Sequence, residues 1–155
     1  MTESSDRSSG SRTAIALPEA LQPSATMCFA CGKDNPVGLH IEFNCDGDTC
    51  QAEFTPTRNH VGWEDTVHGG IIYSALDDVT ANVLYKQGRK AHTARCEIRY
   101  RAALRVGETI SLRGWIEKEK GRLVILRGEA KRLADGVVVA DCEASFMLER
   151  AAISS

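Results

Sequence analysis

The sequence predicts an α+β domain in which one helix packs on one face of an antiparallel sheet. A single long stretch, between Gly69 and Gly88, repeats its apolar residues with helical spacing. Two strand-like segments precede this stretch, and three or four longer ones follow it. Short turns join the later segments, and strands joined in this way pair as an antiparallel meander.

Two strands are expected before the helix. Residues 39–44 alternate between apolar and polar side chains, which is typical of a half-buried strand. Asp46-Gly47 marks a turn into a second strand, and Thr55-Pro56 ends that strand. A polar loop over residues 57–66 then leads to the helix.

The helix is predicted to be mostly buried, because apolar residues recur at i, i+3, i+4 and i+7 and small residues occupy other sides. Gly88 supplies a plausible end to it. The apolar face is expected to consist of Ile72, Ala75, Leu76, Val79, Val83 and Leu84. The strands after the helix are predicted at residues 93–104, 110–117, 123–133 and 137–148.

Length and composition indicate one ordinary globular domain. The 155 residues are 43% hydrophobic and 26% charged, with a formal net charge of -2. This balance argues against nucleic acid as a partner, and no apolar run is long enough to span a membrane. We expect a weakly ordered segment over residues 1–25, a single domain over 26–150 and a tail over 151–155.

The six cysteines are expected to be reduced, because the first residues lack the pattern of a secretory signal. A cytoplasmic location follows as a prediction. Cys28 and Cys31 have the spacing of half a zinc site, and Cys45, Cys50 or His40 would have to supply the other half. Since no second closely spaced pair is present, the prediction is a structural thiol pair and no metal.

The residues at the start of the helix are the first candidate for chemistry. His68 stands directly before Gly69 and Gly70. The first turn of a helix leaves backbone N–H groups without partners at its positive end. Glycines there let a substrate oxygen come close, so the segment is a candidate for stabilising developing negative charge. The alternative is an ordinary tight corner between loop and helix.

Asp77 and Asp78 follow two turns later on the same helix. Asp77 lies off the main apolar face, so the periodicity alone is compatible with a solvated carboxylate. If the helix is also covered on that side, burial would raise the pKa of one carboxyl and make it a better base. No Gly-x-Ser-x-Gly nucleophile motif is present.

Taken together, these residues resemble the hotdog-fold acyl-CoA thioesterases of the PaaI-like, phenylacetate-pathway type. The segment from Cys28 to Leu39 is similar to the Cys-Phe-x-Cys-Gly…Asn-Pro-x-Gly-Leu start of many members. The loop from Asn59 to Trp63 and the run from Val67 to Gly70 are similar to the family's approach to its central helix. Leu76-Asp77 stands where the family carries its acidic catalytic residue.

The resemblance implies a long helix wrapped by a curved antiparallel sheet, and an active site formed between two subunits. The Gly69 or Gly70 N–H would bind the thioester oxygen, with His68 shaping the pocket. Asp77 would act as general base or nucleophile, and Thr93 would orient the water. A homodimer is then the minimum unit, with a homotetramer possible, and no cofactor is needed beyond the coenzyme A of the substrate.

Four further residues are predicted to contact the acyl-CoA substrate. Asn59 and His60 lie in the loop before the helix, and Tyr73 lies on the helix itself. Tyr73 could line an acyl pocket or belong to the core. Several arginines lie on or beside the strands, and most of them would be ordinary surface charges. Arg122 is the one predicted to contact the substrate.

The sequence is also compatible with two other functions. A non-catalytic module that binds acyl-CoA or a lipid ligand would use the same cleft but would not need the acid/base group. An enoyl-CoA hydratase would need an acid and a base paired differently along the helix, and His68 precedes the glycines instead of following the aspartate.

Overall fold

The structure is a computed structural model that describes residues 25–150. The predicted C-terminal tail, and the predicted weakly ordered N-terminal segment apart from its last residue, lie outside the described residues. Within the part described, no helix is long and apolar enough to cross a membrane.

One helix and eight strands make up the described chain. In order, they are a 3-10 turn at Ala25–Met27, β1 (Asn44–Asp46), β2 (Thr49–Phe54), a 3-10 turn at Arg58–His60, β3 (Val61–Trp63), β4 (Thr66–Val67), α1 (Gly69–Lys86), β5 (Ala91–Tyr100), β6 (Ile110–Lys120), β7 (Leu123–Arg132) and β8 (Val138–Leu148).

Six of the strands form one antiparallel sheet in the order β1-β2-β6-β7-β8-β5. The strands β3 and β4 form a separate small hairpin. The sheet curves around α1, which packs on one of its faces. This arrangement confirms the α+β hotdog architecture, in which β5 is an edge strand.

The helix lies very close to the centre of the sheet. The predicted apolar face of α1 is buried, with Ala75, Leu76, Val79 and Val83 all at 0% exposure. A Cβ atom at Gly114 of β6 would lie 2.8 Å from the carbonyl oxygen of Val79, so only glycine fits at that position. The close approach fixes which helix residues face the sheet and which face its edges.

The first predicted strand differs from the structure. Residues 39–43 bury Leu39 and Ile41 as expected but form no strand. Their N–H groups donate instead to the carbonyls of Phe29 and Ala30, at 2.8 and 2.9 Å. His40, between them, has φ of +54°, which interrupts an extended run. The alternation of apolar and polar residues therefore predicts burial correctly. The backbone, however, forms its hydrogen bonds with a loop and not with a strand.

Two further expectations need correction. The polar segment before the helix contains the β3–β4 hairpin as well as loop. Cys45 and Cys50 face each other across β1 and β2 and form a disulfide, so the expectation that all six cysteines are reduced is wrong for this pair. Both cysteines, proposed as possible zinc ligands, are therefore engaged with each other.

Candidate active site

His68 is the N-cap residue of α1, and its side chain organises the first turn. Its ring Nδ1 accepts a hydrogen bond of 2.8 Å from the N–H of Gly70. A neutral His68 therefore carries its proton on Nε2. Of the two predicted donors, the Gly70 N–H is already used within the cap.

The Gly69 N–H makes no hydrogen bond to any part of the chain that the structure describes. It stands at the positive end of α1, as expected of an unpaired donor in a first helical turn. Tyr100 of β5 covers this turn, because its hydroxyl donates to the Gly69 carbonyl at 2.8 Å. A Cβ atom at position 69 would lie 3.2 Å from the Tyr100 ring, so glycine gives the tyrosine room. Of the two predicted donors, only the Gly69 N–H is thus free to bind a ligand.

His60 supports the helix start from the preceding 3-10 turn. The His60 Nδ1 accepts from the Thr57 N–H at 2.9 Å, and its ring packs on Phe54. Its carbonyl accepts from the His68 N–H at 2.8 Å. Burial lowers the pKa of His60 below its ordinary value. His60 therefore positions His68, while the side chain of Asn59 is exposed beside it.

Asp77 lies in the middle of α1, facing β5. Its side chain is half-buried, and its Oδ1 accepts a hydrogen bond of 3.2 Å from the Thr93 hydroxyl. Burial raises the pKa of Asp77 above its ordinary value, and the hydrogen bond from Thr93 opposes that rise. A carboxylate with a raised pKa is a stronger base when ionised. The structure therefore brings together the predicted pair, Asp77 and Thr93.

A β-bulge in β5 directs Thr93 toward the helix. Thr93 pairs with Phe146, but the next pair in the ladder is Arg95 with Ser145, which leaves Ala94 as the extra residue. In a regular strand Thr93 and Tyr100, which are seven residues apart, would face opposite sides, since side chains alternate along a strand. The bulge puts both hydroxyl groups on the face that contacts α1.

Asp78, next to Asp77, points to a different side of the helix. Its Oδ1 lies 3.7 Å from the Cys28 sulfur, and its Oδ2 accepts from the Asn82 side chain at 3.0 Å. A cavity of about 560 Å³ is lined by Asp78 and by residues of the N-terminal loop, but not by Asp77. The structure thus separates the two carboxylates that the sequence left ambiguous.

Tyr73 is half-buried between α1 and β5. A hydrogen bond with Cys96 and burial raise the pKa of Tyr73 to about 12. Tyr73 lies one helical turn before Asp77, so it faces the same strand. Cys96 and Tyr100 also contact this region. Neither was predicted as a site residue, because contacts across strands depend on register.

Arg122 lies at the end of the sheet near the start of β5. Its Nε donates to the carbonyl of Leu148 at 2.9 Å. Leu148 pairs with Ala91, two residues before Thr93. The structure therefore places Arg122 at the same end of the sheet as Thr93, but shows no contact between Arg122 and Asp77.

The two halves of the candidate site are far apart within one chain. Gly69 and Asp77 are eight residues apart on α1, which corresponds to roughly 12 Å along the helix axis at 1.5 Å per residue. A single carbonyl group cannot be bound at one position and attacked from the other over that distance. The Gly69 N–H and the Asp77 carboxylate of one chain therefore cannot act on the same carbonyl group.

Comparison with known families accounts for the central part of the chain. A model of the Thioesterase superfamily matches residues 64–145, from just before α1 to most of β8. The chain belongs to the Thioesterase superfamily. A comparison with curated proteins gives no match.

Solved structures of thioesterases share the fold. The PaaI protein of E. coli, from the phenylacetic acid degradation operon, has a TM-score of 0.67 at 19% identity, over 70% of this chain and 83% of PaaI. The zebra fish thioesterase superfamily member 2 has a TM-score of 0.69 at 19% identity, over 80% of this chain and 95% of its own.

A third relative was solved with coenzyme A. It is a hypothetical thioesterase of Streptococcus pneumoniae TIGR4, with a TM-score of 0.67 at 13% identity, over 70% of this chain and 85% of its own. Two other structures of that protein carry alanine in place of an aspartate and of a threonine.

Replacement of Thr93 by alanine is expected to raise the pKa of Asp77 further, because the hydrogen bond that favours the ionised carboxylate is lost. Thr93→Ser keeps the hydroxyl and should leave the pKa near that of the parent. NMR titration of the Asp77 side-chain carboxyl measures its pKa in both variants. A pKa in the alanine variant equal to or below that of the parent would contradict the assigned hydrogen bond.

Proposed function

We propose that this protein hydrolyses an acyl-CoA thioester to the free acid and coenzyme A, in a site shared between two copies of the chain. The observation that carries the proposal is the half-buried Asp77 carboxylate, bonded to Thr93, on the same helix as the unpaired Gly69 N–H. Superfamily membership supports the reaction class. Coenzyme A bound to the Streptococcus pneumoniae thioesterase supports the substrate class.

The Gly69 N–H is proposed to bind the thioester carbonyl oxygen. As the carbonyl carbon becomes tetrahedral, negative charge develops on that oxygen beside the positive end of α1. His68 holds the helix start in shape through Gly70, and its Nε2 proton faces away from the cap. The donor is fixed before substrate arrives, so little reorganisation opposes the reaction.

Asp77 is proposed to supply the attacking group. As general base it takes a proton from water, the water oxygen attacks the carbonyl carbon, and the carbon–sulfur bond breaks. The coenzyme A thiolate then takes up a proton. As nucleophile, Asp77 would form a mixed anhydride that water hydrolyses. In either route the Thr93 hydroxyl donates to Asp77 and keeps its lone pairs free to accept from water.

The aspartate and threonine have a parallel in a distant relative. In the Streptococcus pneumoniae protein, the aspartate and the threonine that were replaced are sixteen positions apart. Asp77 and Thr93 have the same spacing in this chain. The parallel supports the choice of Asp77 over Asp78.

Two chains are needed because of the distance along α1. The edge strand β5 has one partner, β8, among the described strands, so its other edge is open to pairing. Antiparallel pairing of two β5 strands centred near Glu97, with Ala94 in the bulge, would bring Thr93 opposite Tyr100 of the partner subunit. Asp77 would then lie near the helix start of the partner. This supports a homodimer; a homotetramer and a cytoplasmic location stay predictions.

The remaining predicted contacts belong to substrate binding. Tyr73 faces the same strand as Asp77 and is proposed to contact the acyl group. Asn59, His60 and Arg122 are proposed to lie along the path of the coenzyme A moiety, since each is beside one half of the site. No cofactor beyond the coenzyme A of the substrate enters this mechanism.

Asp77→Asn is expected to lower kcat for acyl-CoA hydrolysis by about 100-fold to 10,000-fold, because the base is lost while the amide oxygen still accepts from Thr93. Release of free coenzyme A thiol from a panel of acyl-CoAs measures the rate. Asp34→Asn, which changes an exposed carboxylate, is the control. A folded, dimeric Asp77→Asn protein as fast as its parent would exclude this role for Asp77.

The same variant is expected to be as stable as its parent or more stable at neutral pH. The folded-state pKa of Asp77 is raised, so its contribution to stability falls as the pH rises from the ordinary aspartate value through the folded-state pKa. Thermal melts at several pH values should show the difference between variant and parent shrinking as the pH is lowered. A parent that gains stability relative to Asp77→Asn as the pH rises would contradict the sign of this shift.

Gly69→Pro tests the oxyanion donor. Proline at the first helical position removes the N–H and is compatible with helix geometry, and the extended backbone of His68 suits a following proline. We expect kcat to fall by about 100-fold to 1,000-fold. Gly69→Ala adds the same Cβ next to Tyr100 but keeps the N–H, so its kcat should fall much less. If kcat falls equally in the two variants, the cause is the added Cβ next to Tyr100 and not the loss of the N–H.

A further inference from the structure

We propose that Cys28, Cys31 and Asp78 form a binding site for a divalent metal ion, with Zn²⁺ as the best-suited ion. The site lies on the side of α1 that faces the N-terminal loop, away from Asp77 and Thr93. It differs from the sequence expectation of no metal, and it does not depend on the proposed hydrolysis.

The three ligand atoms are already close to tetrahedral spacing. The two sulfur atoms and one Asp78 oxygen all lie within 4.8 Å of one another, and Cys28 Sγ is 3.7 Å from Asp78 Oδ1. With Zn–S bonds of about 2.3 Å and Zn–O bonds of about 2.0–2.2 Å, tetrahedral ligands are roughly 3.4–3.8 Å apart. A small shift of side chains is sufficient to close the site around an ion.

The backbone of the N-terminal loop presents the two cysteines together. The Gly32 N–H donates to the Cys28 carbonyl at 2.8 Å, which closes a turn around Cys28 and Cys31. A Cβ atom at Gly32 would overlap the backbone of Cys28, so the turn requires glycine. The Cys31 N–H also points at the Cys28 sulfur, at 3.5 Å, which helps to hold that side chain in place.

The rest of the motif fastens this turn to the domain. The Asn35 side chain donates to the Met27 carbonyl at 3.1 Å and accepts from the Val37 N–H at 3.0 Å. The buried Leu39 and Ala30 then attach the loop to the core. The Cys-Phe-x-Cys-Gly…Asn-Pro-x-Gly-Leu pattern therefore folds into one unit that holds the cysteines against α1.

The helix supplies an oriented carboxylate. Asn82, one turn after Asp78, donates to Asp78 Oδ2 at 3.0 Å, which leaves Oδ1 directed at the cysteines. Partners of this kind, bonded to a ligand but not to the metal, fix ligand orientation in metal sites. Asn82 is itself 7% exposed, so its amide is held within the fold.

The chemistry of the three ligands favours zinc. Thiolates select soft or borderline ions, while a carboxylate is a hard oxygen ligand, and Zn²⁺ accepts both. The fourth position would be taken by water. All three ligands line the cavity of about 560 Å³, which gives the ion a route of entry and room for that water.

The full-length protein, stripped of metal and kept reduced with a non-thiol reductant, should bind Co²⁺ as a spectroscopic probe. Binding of one ion per chain with a sulfur-to-cobalt charge-transfer band is the expected result, and Zn²⁺ should abolish the band by displacement. Cys28→Ser, Cys31→Ser and Asp78→Asn should each weaken binding by about tenfold or more, as loss of a ligand requires. Circular dichroism checks that each variant folds.

Two matched controls sharpen the test. Asp77→Asn changes the adjacent carboxylate, and Cys96→Ser removes a thiol outside the cluster; both should bind Co²⁺ like the parent. An affinity for Co²⁺ that is unchanged in Cys28→Ser and Cys31→Ser, or that falls equally in the controls, would overturn the site.

A measurement on the unmodified chain covers the case in which a variant does not fold. With Zn²⁺ bound, alkylation of Cys28 and Cys31 should slow by about tenfold or more, while Cys96 should react at its metal-free rate; mass spectrometry resolves each cysteine. No protection, no stoichiometric uptake of metal, or a Cys28–Cys31 disulfide that persists in the presence of the reductant would each contradict the proposal.

Discussion

The packing of α1 against the sheet is the constraint on which the candidate site depends. Val79 lies so close to Gly114 that no side chain fits between helix and strand. The helix is thereby fixed in rotation, and each residue on it has a set direction. Because Asp77 and Asp78 differ by about 100° around the axis, one faces β5 and the other the N-terminal loop. Adjacent, chemically identical carboxylates thus acquire different partners and different chemistry.

The rise of the helix sets the second constraint. A donor in the first turn and a base two turns later cannot reach one carbonyl group within a single chain. In the proposed dimer, two copies related by a two-fold axis would solve this problem, because the donor of one chain would meet the base of the other. The open edge of β5 carries both hydroxyl groups that contact these two positions, Thr93 and Tyr100. The same strand would therefore join the subunits and align the site.

Much of the fold could be predicted from the sequence, because helical and strand periodicity report directly which side chains are buried. The helix and the long strands after it follow from that pattern, and Gly88 lies two residues beyond Lys86, the last residue of α1. Residues 39–43 show its limit. Alternation there indicated burial of Leu39 and Ile41, but it could not reveal that the backbone pairs with a loop ten residues earlier.

The candidate site was only partly predictable. Glycines after a histidine at a helix start, and an acid on the same helix, are local signals that a sequence shows. The bulge at Ala94, which turns Thr93 toward Asp77, depends on strand register and leaves no local signal. Asp78 beside Cys28 is a contact between residues fifty positions apart. The spacing of cysteines and histidines along the sequence therefore contains no sign of this contact.

Mixing two inactive variants tests the shared site most directly. Gly69→Pro chains lack the donor and Asp77→Asn chains lack the base, so each homodimer should be inactive. Co-expression in equal amounts makes about half of the dimers mixed, and each mixed dimer has one intact site out of two, so about one quarter of the parental activity should return. If the mixture stays as inactive as the separate variants while mixed dimers are present, donor and base act within one chain and the shared site is wrong.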